Sequence, residues 1–150
     1  MVELALGETV NGLLPRWRSW APYLHSVLRI MAALLYMEVG MAKLFAFPAA
    51  ILPGGGTATV WSLVGVAGIL ETFGGLLLLV GLFARPVAFL LAGQMAVAYF
   101  AFHAPNGFWP VLNQGQLAIL FCFLWLYLSA AGPGPWSIDA LRKRDADRAA

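Results

Sequence analysis

Long apolar runs interrupted by single polar groups set the pattern of this chain. From about Trp61 to Phe83 the only ionisable side chain is Glu71. A helix needs about 20 consecutive apolar residues to cross a bilayer core, so this run predicts a membrane-spanning helix with an acid near mid-depth. A carboxyl group there is expensive and turns toward other helices, marking a functional site or a buried polar contact. Gly68 and Gly75 stand one turn to either side of Glu71, which suits close helix packing in lipid.

The same pattern predicts three further crossings. The first runs from about Tyr23 to Phe47 and is the most polar, with Arg29, Glu38 and Lys43. At about 100° per residue Arg29, Tyr36 and Lys43 share one stripe, with Ala32, Ala33 and Gly40 beside it. Glu38 falls roughly opposite Tyr36 and needs a different neighbour, a proton or another chain. A short turn at Arg85 and Pro86 leads into the third crossing, where Gln94 is the mid-membrane polar group beside Ala98 and Ala101. The fourth spans about Leu112 to Ala131, with Gln116 near its start and Gly115, Ala118, Cys122 and Ser129 on a small face. Proline- and glycine-rich loops at 48–58 and 103–115 separate these runs. The triple glycine at 54–56 lacks the following Lys-Ser/Thr of a phosphate loop. The expected fold is all-α, a four-helix transmembrane bundle in up-and-down antiparallel order.

Three regions follow: an N-terminal segment at 1–21, the transmembrane domain at 22–139 and a tail at 140–150. In the first, Leu6, Val10, Leu13, Leu14 and Trp17 fit a short interfacial helix, and a disordered tail up to Pro15 fits equally well. Its acids and short apolar patch predict a retained terminus, not a cleaved signal peptide. In the last, RKRDADR reads as a solvated tail meeting anionic headgroups, with Asp139 capping its start and Ser137 competing for that role.

Composition agrees with a lipid environment. Of 150 residues 61% are hydrophobic and 11% charged, with mean hydropathy +0.81, whereas soluble domains carry about 25% charged residues. A net charge of +2, spread along the chain, argues against nucleic acid as a partner. Cys122 is the sole cysteine, which excludes an internal disulfide, a CxxC pair and a zinc cluster, and its apolar setting makes it inert. His25 and His103 fall at opposite faces, so haem ligation is not expected, and no metal site is expected.

Arg16, Arg18, Arg85 and Arg142 to Arg144 all fall on one side of a four-crossing arrangement. By the positive-inside rule both termini are cytoplasmic. Trp17, Trp20, Tyr23 and Trp136 then belt the inner interface and Trp61, Tyr99, Phe108 and Trp109 the outer one. At about 1.5 Å per residue Glu38 and Glu71 reach similar depth. Lys43 lies a turn or more further out, and a Lys43–Glu71 pair is the simplest way to neutralise both charges.

Three segments carry a resemblance: LRIMAALLYMEVGMAKLFAFP, GILETFGGLLLLVGLFARPVAFLLAGQMAVAYF and HAPNGFWPVLNQGQLAILFCFLWLYLSAAGPGPWSID. In order and spacing, over residues 28–139, they resemble the DoxX family of small four-helix membrane proteins. The distinctive elements are Gly40-x-x-Lys43, Glu71-x-x-Gly74-Gly75 and the closing Gly134 to Asp139. The resemblance implies a multi-pass protein of the bacterial cytoplasmic membrane, linked to respiratory or thiol redox systems as an oxidase or oxidoreductase subunit or as a membrane partner of antioxidant enzymes. Where the resembling proteins carry His, Glu and Glu, this chain has Val39, Gln94 and Gln116. Three titratable groups are thus neutral here, which weakens proton relay or metal binding more than it weakens the fold.

The buried polar and ion-pair candidates are Arg29, Glu38, Lys43, Glu71 and Gln94. For Glu71 a structural pair with Lys43 or Arg29 stands level with a proton or quinone-headgroup role. A slot for quinone or lipid would use Tyr36, Lys43, Glu71 and Gln94. The chain has no catalytic residue set and no motif to hold a redox centre of its own. The leading expectation is therefore a non-catalytic membrane subunit or adaptor of a larger redox assembly, in contact with lipids and with other membrane subunits or copies of itself. A small quinone- or thiol-linked oxidoreductase and an oligomeric ion-coupled transporter are the alternatives.

Overall fold

The structure, a computed structural model, describes residues 2–149, with side chains from residue 17 onward. The described residues form five helices and no strand. These are α1 (Val2–Phe45), α2 (Leu63–Val80), α3 (Ala84–Asn106), α4 (Gln116–Ala131) and α5 (Ile138–Ala149). Two of them, α2 and α3, have the length and hydropathy to cross a membrane, with mean hydropathy 2.2 and 1.6.

Local chemistry sets the helix ends. The Ser62 hydroxyl accepts from the Gly65 N–H at 3.0 Å and starts α2. Gly81 ends it in the left-handed region at φ 69, so that Gly81 and Leu82 N–H reach back to Leu78 and Leu77 carbonyls. The turn between α2 and α3 is therefore Gly81–Phe83. Arg85 and Pro86, expected in that turn, lie instead in the first turn of α3, where a proline costs no helical hydrogen bond.

Residues 1–21 were expected as a separate segment, yet α1 passes through position 21 without a break. The proposed apolar face of Leu6, Val10, Leu13 and Leu14 belongs to side chains outside the described residues. The tail after 139 is helical: Ser137 accepts from the Ala140 N–H and starts α5, whose residues stay largely exposed.

Inside, small residues let the backbones approach. Helix α1 runs along α2 and α3 runs along α4. The core combines Ala32, Ala33, Ala88, Ala92 and Ala118 with Leu78, Leu91, Leu128 and Trp125. Tyr36 of α1 meets Phe121 and Trp125 of α4 with ring centres 5.2 and 5.3 Å apart, tying the two pairs together. Most of the large apolar side chains point outward, among them Leu28, Met31, Phe73, Phe89, Leu120 and Phe123. That distribution reverses a water-soluble core and calls for an apolar surrounding.

Candidate functional site

Glu71 sits where α2 widens. Residues Leu70–Gly74 form a single π-helical turn, and such turns insert one extra residue and frequently occur at functional positions. The extra residue turns Glu71, Thr72, Gly74 and Gly75 all inward. Gly74 backs onto Leu91 of α3, while Gly75 backs onto Met37 of α1. Across from the wide turn, a Cβ on Gly40 would lie 2.7 Å from the Thr72 nitrogen and 2.8 Å from the Glu71 Cβ. Only glycine permits that approach.

Four side chains from three helices then form one connected network. Lys43 Nζ donates to Glu71 Oε1 at 2.6 Å and Oε2 at 2.8 Å. Gln94 Nε2 donates to Glu71 Oε1 at 3.1 Å, and Tyr36 donates its hydroxyl proton to Gln94 Oε1 at 2.9 Å. Glu71 is 2% exposed, so three hydrogen bonds replace its solvation. Charge balances within the network, one cation against one anion, and Gln94 bridges it, its amide N–H donating to Glu71 while its oxygen accepts from Tyr36.

Gln94 also faces outward. An open groove of about 480 Å³ runs between α2 and α3, lined by Leu63, Val66, Leu70, Phe89 and Gly93 among others, and among the described residues Gln94 is the only polar side chain in its wall. Gly93 keeps it wide, since nothing lies within 4 Å of where its Cβ would be. The groove thus joins an apolar surface to the charged pair through one amide.

The other candidates lie elsewhere. Arg29 does not reach Glu71. Fully buried, its guanidinium donates to the carbonyls of Leu78, Leu79, Pro133 and Trp136, tying the end of α2 to the 133–136 segment. Fourteen residues separate it from Lys43, about 21 Å of helix, too far for one carboxylate. Glu38 is exposed on the far side of α1, and no described residue pairs with it. Gln116 is exposed at the start of α4 and Cys122 is half-buried. His25 contacts the Gly132 carbonyl at 2.7 Å and His103 the Asn113 carbonyl at 3.0 Å. Among the described residues no three His, Cys, Asp or Glu side chains converge on a point.

Asp139 corrects an expectation. It does not cap its own helix; its carboxylate accepts from the Phe83 and Ala84 N–H groups at 3.0 and 2.9 Å and caps α3. Its own N–H donates to the Gly81 carbonyl at 3.0 Å. Arg85 makes the reciprocal contact, donating to the Ser129 and Ala130 carbonyls at the end of α4. The sequence signal for this lock was the Gly134 to Asp139 stretch, whose spacing has a meaning only once Gly81 lies beside it.

Comparison with known proteins bears on this arrangement. The DoxX family profile matches residues 24–104, which hold Lys43, Glu71 and Gln94. A Haemophilus influenzae protein described only as uncharacterized is 39% identical over 123 residues, covering 80% of this chain and 91% of its own. No solved structure matches. With more than half of its length matched and a relative of this similarity, the chain is a membrane protein of the DoxX family.

Proposed function

We propose that α1 to α4 cross a bacterial inner membrane four times, up and down, with both termini cytoplasmic, as a non-catalytic subunit or adaptor of a redox assembly. On this reading the chain contacts quinone or lipid along the α2–α3 groove, with Gln94 meeting the polar end of the occupant. The observation that carries it is the double role of Gln94, which lines the groove and hydrogen-bonds Glu71. Two further features support it. Large apolar side chains cover the outside, and exposed Trp17, Trp20 and Trp136 mark one end while Trp61, Phe108 and Trp109 mark the other. Of these four helices α4 is the shortest at 16 residues, about 24 Å, and the apolar turn from Trp109 to Leu112 precedes it on the same side as Trp61.

Glu71 is engaged by Lys43 and Gln94 together, which favours a binding and positioning role over an open ion pathway. Purification from native membranes in mild detergent tests the proposal. The expected result is co-isolation of other membrane redox subunits, with extractable quinone or lipid that the Gln94→Leu variant loses. Recovery of a lone chain carrying neither overturns it.

A further inference from the structure

A second cavity, of about 430 Å³, lies between α1 and α5, lined by Tyr23, Pro135, Trp136, Ser137, Leu141 and Arg144. It shares no residue with the α2–α3 groove, and Tyr23 is twenty residues, about 30 Å of helix, from Lys43. The two faces of α5 explain how it arises. Asp139 and Arg142, three apart, turn to the start of α3, where Asp139 accepts from the Phe83 and Ala84 N–H groups and the Arg142 guanidinium stands 5.6 Å over the Phe83 ring. Leu141 and Arg144, with Ser137 one turn earlier, form the other face and line the cavity opposite Tyr23. Helix α5 is thus held against α3 on one side and spaced from α1 on the other.

The lining offers donors that nothing else uses. The Tyr23 and Trp136 rings meet at 5.5 Å, yet among the described residues neither the phenol hydroxyl nor the indole N–H has a hydrogen-bond partner, and no carboxylate pairs with Arg144. Ser137 has its hydroxyl committed, donating to the Gly134 carbonyl and accepting from the Ala140 N–H. No described acid lines the cavity. Of the three basic residues at 142–144, Arg142 is engaged with Phe83 and Lys143 lies outside the lining, so Arg144 alone brings charge to it.

We propose that this cavity holds the headgroup of one anionic phospholipid, its phosphate on the Arg144 guanidinium and its polar remainder beside Tyr23 and Trp136. A guanidinium presents a planar fork of donors that matches phosphate oxygens. Tyrosine and tryptophan sit at headgroup level in membranes, and exposed Trp17, Trp20 and Trp136 mark this end of the bundle. The two rings would also attract a choline ammonium, but Arg144 repels it and no acid in the lining offsets that repulsion. The acyl chains then follow Val27 and Met31, exposed one and two turns further along α1 on the Tyr23 face. This site rests on α1 crossing the membrane and involves neither the groove nor a redox partner.

Native mass spectrometry of the full chain in mild detergent tests it, with titration by phosphatidylglycerol, phosphatidylcholine or soluble glycerol phosphate. Phosphatidylglycerol should bind more tightly than either of the others. Arg144→Gln should weaken it about tenfold, the effect of one hydrogen-bonded charge, while Lys143→Gln, the same loss of charge outside the cavity, should change it little. Leu141→Trp fills the cavity without altering charge and should also release the lipid. Leu141 and Arg144 are both exposed, so neither variant should lower the unfolding midpoint. Gln94→Leu should leave this lipid bound, which separates the site from the groove. Equal weakening by Arg144→Gln and Lys143→Gln overturns the proposal, as does full binding to Leu141→Trp or a phosphatidylcholine bound as tightly as phosphatidylglycerol. Glycerol phosphate that binds as tightly as the lipid overturns it too and assigns the cavity to a soluble phosphate ester.

Discussion

The Lys43 ammonium holds both carboxylate oxygens of Glu71 across the seam between α1 and α2, where the carboxylate is buried and the ammonium largely so. Removing either partner leaves a charge without a mate. Each of Lys43→Met and Glu71→Leu should cost about 3–5 kcal/mol, and the double variant should recover most of that loss. Detergent-based unfolding of the four proteins forms the cycle; strictly additive losses would refute the pairing energy.

Arg29 acts at the other end of the same helix pair. Its guanidinium serves four carbonyls spread over α2 and the 133–136 segment. The Leu78 carbonyl keeps the Gly81 N–H, and each of the others that loses its donor costs about 1–3 kcal/mol. Arg29→Met should therefore abolish stable folding. Arg29→Lys should recover only part, because an ammonium cannot span the planar fork. Expression yield and unfolding midpoint read both outcomes, and a lysine variant as stable as wild type contradicts this role.

The Asp139 carboxylate caps α3 from beyond the end of α4. Asp139→Ala should lower stability by about 0.5–2 kcal/mol, as for other lost caps. Asp139→Asn should retain much of the cap, since an amide oxygen accepts from the same N–H groups. Equal losses for the two substitutions would mean that the contact contributes through charge alone.

Depth arithmetic along antiparallel helices was enough to bring Lys43 and Glu71 together, because both belong to neighbouring runs joined by a single loop. The stripe rule placed Tyr36 inward for the same local reason. Arg29 shares that stripe, but periodicity gives direction and not reach, and its acceptors are backbone carbonyls, two of them from a segment over 100 residues later. The wide turn at Leu70–Gly74 was illegible, since a π-turn changes helix phase without changing hydropathy. The groove beside Gly93 was equally hidden: a glycine reads as tight packing, and here it leaves open space.

Gly40 is the tight counterpart. Its Cα faces the Thr72 backbone nitrogen and Glu71 Cβ, neither of which can move aside as a flexible side chain would. Gly40→Ala should force α1 from α2 at a cost of about 1–3 kcal/mol. The strain falls beside the Lys43–Glu71 pair, so the substitution should also shrink the coupling energy in the cycle above. Unchanged stability and coupling would show that the two helices separate freely.

Gly93 lets the groove be tested apart from the fold. A Cβ at position 93 would meet nothing within 4 Å, so Gly93→Leu directs its side chain into the groove between α2 and α3 with no backbone clash. Leucine is also the better helix former by up to about 1 kcal/mol, so the unfolding midpoint should hold or rise. Gln94 keeps its bonds to Glu71 and Tyr36 in this variant, since neither passes through the filled space. Bound quinone or lipid recovered by extraction should nevertheless fall, because the occupant's apolar part and the new side chain compete for one volume. A stable Gly93→Leu protein that carries as much extractable quinone or lipid as wild type would show that the occupant contacts the chain elsewhere.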